Sequence, residues 1–150
     1  MKHCKFRFLG KQGGAMLEFA VVLPLLTIMS FGAADFGRLF METAIVANAS
    51  GAGAIYAARS TKEASDLAGA EAAVLANVNG LQSVTPDVTK LCDCPGSPGA
   101  WVSCGSTCAG YGLPRIYIRS KANKSFDTIG FYPGIPNQVG IDISTWLRVQ

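Results

Sequence analysis

The sequence predicts an α+β protein, with a long N-terminal helix, a second helix and a small antiparallel β-sheet stapled by disulfides. Three observations carry that reading. Ala15–Ala34 is a twenty-residue run whose one charge is Glu18. The region from Val84 onward changes to alternating apolar and polar residues. Four of the five cysteines crowd into CDCPGSPGAWVSCGSTC, residues 92–108.

Taken in order, residues 1–13 form a basic leader. Lys2, Lys5, Arg7 and Lys11 give it +4, although the whole chain carries only +3. The remainder is therefore close to neutral, without the clustered basic face that nucleic-acid binding requires. Charged residues make up 15% of the chain, against about 25% in soluble domains. The apolar excess lies just behind the leader. At about 1.5 Å per residue, Ala15–Ala34 reaches roughly 30 Å as a helix, the thickness of a hydrocarbon core. From Phe19 it reaches only about 24 Å, so Glu18 is expected in or just below the cytoplasmic interface. Basic residues before such a run place the N-terminus in the cytoplasm. The organisation read from this is a leader at 1–13, a transmembrane segment at 14–34 and a periplasmic α+β domain at 35–150. Two other readings remain. One is a buried helix of a soluble protein, disfavoured because twenty residues show no polar face. The other is a secretory signal peptide cut near Gly32-Ala33-Ala34, which leaves Glu18 unexplained.

The helix is expected to continue to about Ala58, with a bend at Pro24, where one backbone donor is missing. Gly32, Ala33, Gly37, Ala44, Ala47, Gly51 and Ala54 are small enough for close helix packing. Ser60 and Glu63 have capping-box spacing, which predicts a second helix to about Asn79. Its apolar stripe is Leu67, Ala70, Val74, Val78 and Leu81. Strands are predicted at 84–94, at RIYIR (115–119) and at 139–149, with the turn-rich FYPGIPN between the last two.

Cys92, Cys94, Cys104 and Cys108 read as two disulfides in an oxidising compartment. A four-thiolate zinc site is the rival, but the C-x-C and C-x3-C spacings lack paired C-x2-C knuckles. Of the three possible connectivities, nested pairing is expected, with Cys94–Cys104 inside Cys92–Cys108. Cys4 falls in the leader. No metal or cofactor is expected. His3 is the lone histidine, and no nucleophile elbow or phosphate loop occurs, so an enzyme is not expected.

The leader, then Gly13-Gly14-Ala15-Met16-Leu17-Glu18-Phe19, then an apolar helix, resembles a type IV prepilin processing site. Counting from a cut after Gly13, Glu18 is the fifth mature residue, where such pilins carry their glutamate. More closely, EFAVVLPLL with FGAADFGRLF and ANASGAGAIYAA resembles the TadE-like family of the tight adherence (Tad) pilus system, over about residues 12–58. The resemblance implies a pilin-like pseudopilin or minor pilin, held by a single pass in the bacterial inner membrane and processed by a prepilin peptidase. Incorporation into an extracellular pilus is a further implication. Its partners would be other Tad pilins or pseudopilins and assembly-platform proteins, with Glu18 pairing to a freed N-terminus. Two features depart from the family pattern. Gly14 offers a cut one residue later, and Ser50-Gly-Ala-Gly53 replaces a usual charged residue. The alternative from another class is a bitopic or signal-peptide-secreted periplasmic ligand-binding protein.

Overall fold

The apolar run and the small-residue run behind it form one continuous helix. In the computed structural model, which describes residues 14–132 and 134–149, α1 spans Gly14–Ala58. Its first half is bare, with no residue from 14 to 31 buried. Its second half buries Val46, Ala49, Ser50, Gly53, Ala54 and Ala57 against the remainder of the chain. The leader, with His3, Cys4 and Gly13, lies outside the described residues.

Behind α1 the chain turns at Ser60. The Ser60 hydroxyl donates to the Glu63 carboxylate and accepts from the Lys62 and Glu63 amides. That pair caps only a short 3-10 turn, Glu63–Ser65. The second helix, α2 (Leu67–Ala76), starts later and is capped by Asp66, whose carboxylate accepts from the Gly69 amide at 3.0 Å. Tyr56 on α1 donates to the same carboxylate at 2.8 Å, so the cap also ties the two helices together. Helix α2 stops three residues earlier than its pattern suggests. Asn79 and Gly80 take left-handed conformations that end the helical path. Ala70 and Val74 are buried, while Leu67, Val78 and Leu81 pack at the edge of the core as the stripe implies.

Four strands follow: β1 (Thr85–Cys94), β2 (Ser97–Val102), β3 (Arg115–Asp127) and β4 (Gln138–Arg148). They form one antiparallel sheet in the order β2-β1-β3-β4. β4 matches its period-two pattern, but β3 runs eight residues past RIYIR. The reason is that its inward positions after Ile118 are Ser120 and Ala122, too small and too polar to look like a buried strand face. Those small residues admit the helix. A Cβ added to Gly53 would lie 2.8 Å from the Ser120 hydroxyl and collide with Val74. Ser50 donates to the Ser120 carbonyl at 2.8 Å and accepts from the Thr145 hydroxyl at 2.9 Å. At Ser50 and Gly53, therefore, α1 lies directly against β3 and β4. Ile118, Phe126, Val88, Ile141 and Val149 complete the core with Val46 and Val74.

Both disulfides form, but they are interleaved rather than nested: Cys92 joins Cys104 and Cys94 joins Cys108. Strand register explains the correction. Cys92 faces Val102 across the antiparallel β1–β2 ladder, so Cys104, two residues further on, lies past Cys92 on the side away from Cys94 and is nearer to Cys92. Beyond the irregularity at Asp93/Cys94, Cys94 lies opposite Ser97. The returning loop then delivers Cys108, held by its bridge to Gly112. Asp93, between the two half-cystines, is 3% exposed and takes a two-pronged contact from Arg115 at 2.9 Å, plus the Gly99 amide at 3.0 Å. The Arg115 guanidinium, then the Gly99 amide, holds its carboxyl below the usual range against the opposing effect of burial.

Removing one bridge as Cys92→Ser with Cys104→Ser should cost about 2 to 4 kcal/mol in denaturant unfolding, since each closes a short loop. Fragmentation of the non-reduced peptides should show interleaved linkage, and nested linkage would contradict the register argument. Asp66 is also held low, by the Gly69 amide first and then by Tyr56. Depressed carboxyls contribute stability above their unfolded pKa, and that contribution is lost as pH falls through their folded values. The melting temperature should therefore fall below about pH 4, and Asp93→Asn should show a shallower fall over the same range.

Candidate functional site

The exposed half of α1 has few polar side chains to satisfy. Thr27 and Ser30 donate their hydroxyls back to the Leu23 and Leu26 carbonyls at 2.6 and 2.8 Å. Neither leaves a free donor, which a hydrocarbon environment would penalise. Pro24 lies within the helix and supplies no amide to the Ala20 carbonyl. An 18-residue window of α1 has mean hydropathy 1.9 with none of it buried. By length and composition, this helix can cross a membrane. Glu18 is exposed near its start.

The helix acquires its first buried residue at Asp35, immediately after the apolar run. Asp35 is 4% exposed, and its carboxylate is a hub. The Ile129 amide donates to both oxygens at 3.0 and 3.1 Å, and the Gly130 amide donates at 3.2 Å. The Tyr132 hydroxyl donates at 3.0 Å, and Arg38, one turn along, at 3.2 Å. All but Arg38 come from the β3–β4 loop, more than ninety residues away in the chain. Gly130 makes the arrangement possible: a Cβ there would sit 2.8 Å from the Tyr132 ring, which folds back over the loop to reach Asp35. The Thr128 amide donates to the Asn137 carbonyl and the Ile135 amide to the Tyr132 carbonyl, each at 3.0 Å, and close the loop.

Charges continue up this face of α1. Arg38 lies over the Phe126 ring and approaches Glu42 at 4.0 Å, and Glu42 pairs with Lys124 on β3 at 3.1 Å. Between helix and loop lies an open apolar groove of about 180 Å³, lined in part by Leu39, Phe126, Ile135 and Val139.

The residues named from sequence do not converge. Glu18 and Asp35 are about 25 Å apart along α1. Pro24 lies between them, Gly14 begins the described helix, and the cysteines sit at the β1–β2 edge of the sheet. Among the described residues, no group of three or more His, Cys, Asp or Glu side chains can hold a metal. Asp35 itself was not anticipated. Its local signal is an acid directly after an uncharged run with a base three residues later, but nothing in the sequence couples it to residues 129–132.

Residues 13–54 match the family model described as TadE-like protein. The chain carries a TadE-like segment. No curated protein and no solved structure matches the chain. The matched segment contains Glu18, Pro24, Asp35, Arg38, Ser50 and Gly53, so most of α1 belongs to it.

Asp35→Ala removes the acceptor that the Ile129 and Gly130 amides share. Their hydrogen exchange should accelerate by about tenfold or more, because hydrogen bonds to a charged acceptor are among the stronger ones. Amides in the β1–β3 ladder should be unaffected. Uniform acceleration would mean that Asp35 holds the whole domain rather than the loop.

Proposed function

We propose that this chain is a pseudopilin or minor pilin of a Tad-type pilus. It is a single-pass inner-membrane protein with its N-terminus in the cytoplasm and residues 35–150 in the periplasm, available for incorporation into an extracellular pilus. The observation that carries the reading is Glu18. It is the one charge in the bare part of α1, five positions after Gly13, inside a TadE-like segment.

A carboxylate there has a use once a prepilin peptidase cuts between Gly13 and Gly14. The cut frees an α-amino group with a reference pKa of about 7.7 to 8.0, and a neighbouring subunit's amine can meet Glu18. Inside the low-dielectric boundary such a pair offsets the cost of carrying the carboxylate into the membrane. An isolated subunit bears that cost alone, so the pairing favours association. Pro24 would supply a bend that lets the apolar half of α1 adjust to its neighbours. Partners on this reading are other Tad pilins or pseudopilins, the assembly platform and the peptidase.

N-terminal sequencing of the exported protein tests the leader. A start at Gly14 supports the proposal, a start near Asp35 indicates a signal peptide, and an intact Met1 indicates an unprocessed membrane protein. Gly13→Val should block the cut, because the peptidase must fit an extended small-residue backbone. Glu18→Gln should be inserted and cleaved like the parent yet co-purify poorly with its partner subunits. Undiminished co-purification would reduce Glu18 to a marker of the interface.

A further inference from the structure

Measured from Phe19, the uncharged part of α1 is about 24 Å long, short of a hydrocarbon core of about 30 Å. In sequence, Asp35 ends it. In space it does not, because the Asp35 carboxylate is covered by the β3–β4 loop and neutralised by Arg38. Phe36 lines the groove that α1 shares with the loop, and the exposed apolar surface continues up the helix through Phe40 and Met41, with Phe40 71% exposed. From Phe19 to Phe40 the helix measures about 33 Å, enough for the core.

The loop lies at the same height, because its Ile129 and Gly130 amides are hydrogen-bonded to Asp35. It also has the composition of a membrane contact. TIGFYPGIPN (128–137) contains no charged residue, and Ile129, Phe131 and Ile135 are exposed, Phe131 to 80%. Besides Arg38, which is paired with Asp35 and lies over the Phe126 ring, the charged side chains on this face stand further up, where Glu42 and Lys124 pair with each other.

We infer that the β3–β4 loop is a second membrane contact, with Ile129, Phe131 and Ile135 seated beside Phe36 in the headgroup–acyl boundary of the leaflet from which α1 emerges. This rests on α1 spanning the bilayer. Lipid is the occupant because the loop is tied to the helix that enters the membrane, so every copy brings it to that surface without a partner. Apolar side chains penetrate such a boundary by about 5 to 10 Å, and the loop, at the height of Asp35, lies about 7.5 Å below Phe40 along α1, within that depth. An uncharged loop also makes this contact independent of anionic lipid. The membrane then constrains both the direction of the helix and the rotation of the domain about it.

The test uses the full chain in phosphatidylcholine vesicles carrying bromine at shallow or deep acyl positions. Trp101 and Trp146 are changed to Phe, and a single reporter is placed as Phe131→Trp or Leu25→Trp. Retained disulfides check the fold, and Phe131→Trp read against the parent tryptophans serves if the double replacement misfolds. Phe131→Trp emission should fall at least about twofold with shallow bromine and less with deep bromine, and Leu25→Trp should show the reverse order. Quenching of Leu25→Trp without quenching of Phe131→Trp would overturn the loop contact and leave the span intact. Failure of both reporters would overturn the span and the loop contact together. Quenching of Phe131→Trp that disappears as protein density rises would assign the loop to a second copy and overturn the lipid assignment.

Discussion

A carboxylate at the boundary between the bare and packed halves of α1 gathers two loop amides, a tyrosine hydroxyl and a guanidinium. An acid this deeply covered is costly unless every lone pair it presents is met by a donor. Asp35 meets that condition only with the β3–β4 loop in place, so loop, helix and charge constrain one another. Where the loop goes, the ends of β3 and β4 follow. The height of the β3–β4 loop relative to the apolar run is thereby held by one side chain.

The upper half of α1 is held differently. Gly53, Ser120 and Ala122 bring backbone near backbone, and the Ser50 hydroxyl satisfies a strand carbonyl where no water enters. Dispersion over a close interface replaces the large side chains that a core of this size would otherwise use. Phe126 and Ile118 fill the space on either side of the small residues. The result is a packed domain on a helix whose other half is exposed.

The TadE-like segment, residues 13–54, runs across that division. The exposed half of α1 offers apolar surface and one carboxylate, features suited to lipid and to neighbouring helices. The packed half and the sheet offer a domain whose far edge is stapled by two disulfides and by the Asp93–Arg115 contact. That edge is held by covalent bonds and an ion pair, whereas the Asp35 end is held by hydrogen bonds to the β3–β4 loop.

Much of this was legible in the residues themselves. An uncharged run of twenty, small residues at helical spacing and eleven residues in period two are local patterns, and local patterns fix α1 and β4 almost to the residue. Glu18 was conspicuous because a charge in an apolar run has no other local explanation. The disulfide cysteines were legible as a set, while their interleaved pairing depended on the β1–β2 register and its irregularity. β3 was half hidden because Ser120 and Ala122 are small for the sake of α1, a neighbour some seventy positions earlier in the chain. Asp66 displaced Ser60 as the cap of α2 because it also had Tyr56 to bind. Asp35 was the extreme case. Its identity was visible and its meaning was not, since a carboxylate becomes an anchor only when distant backbone amides are folded onto it.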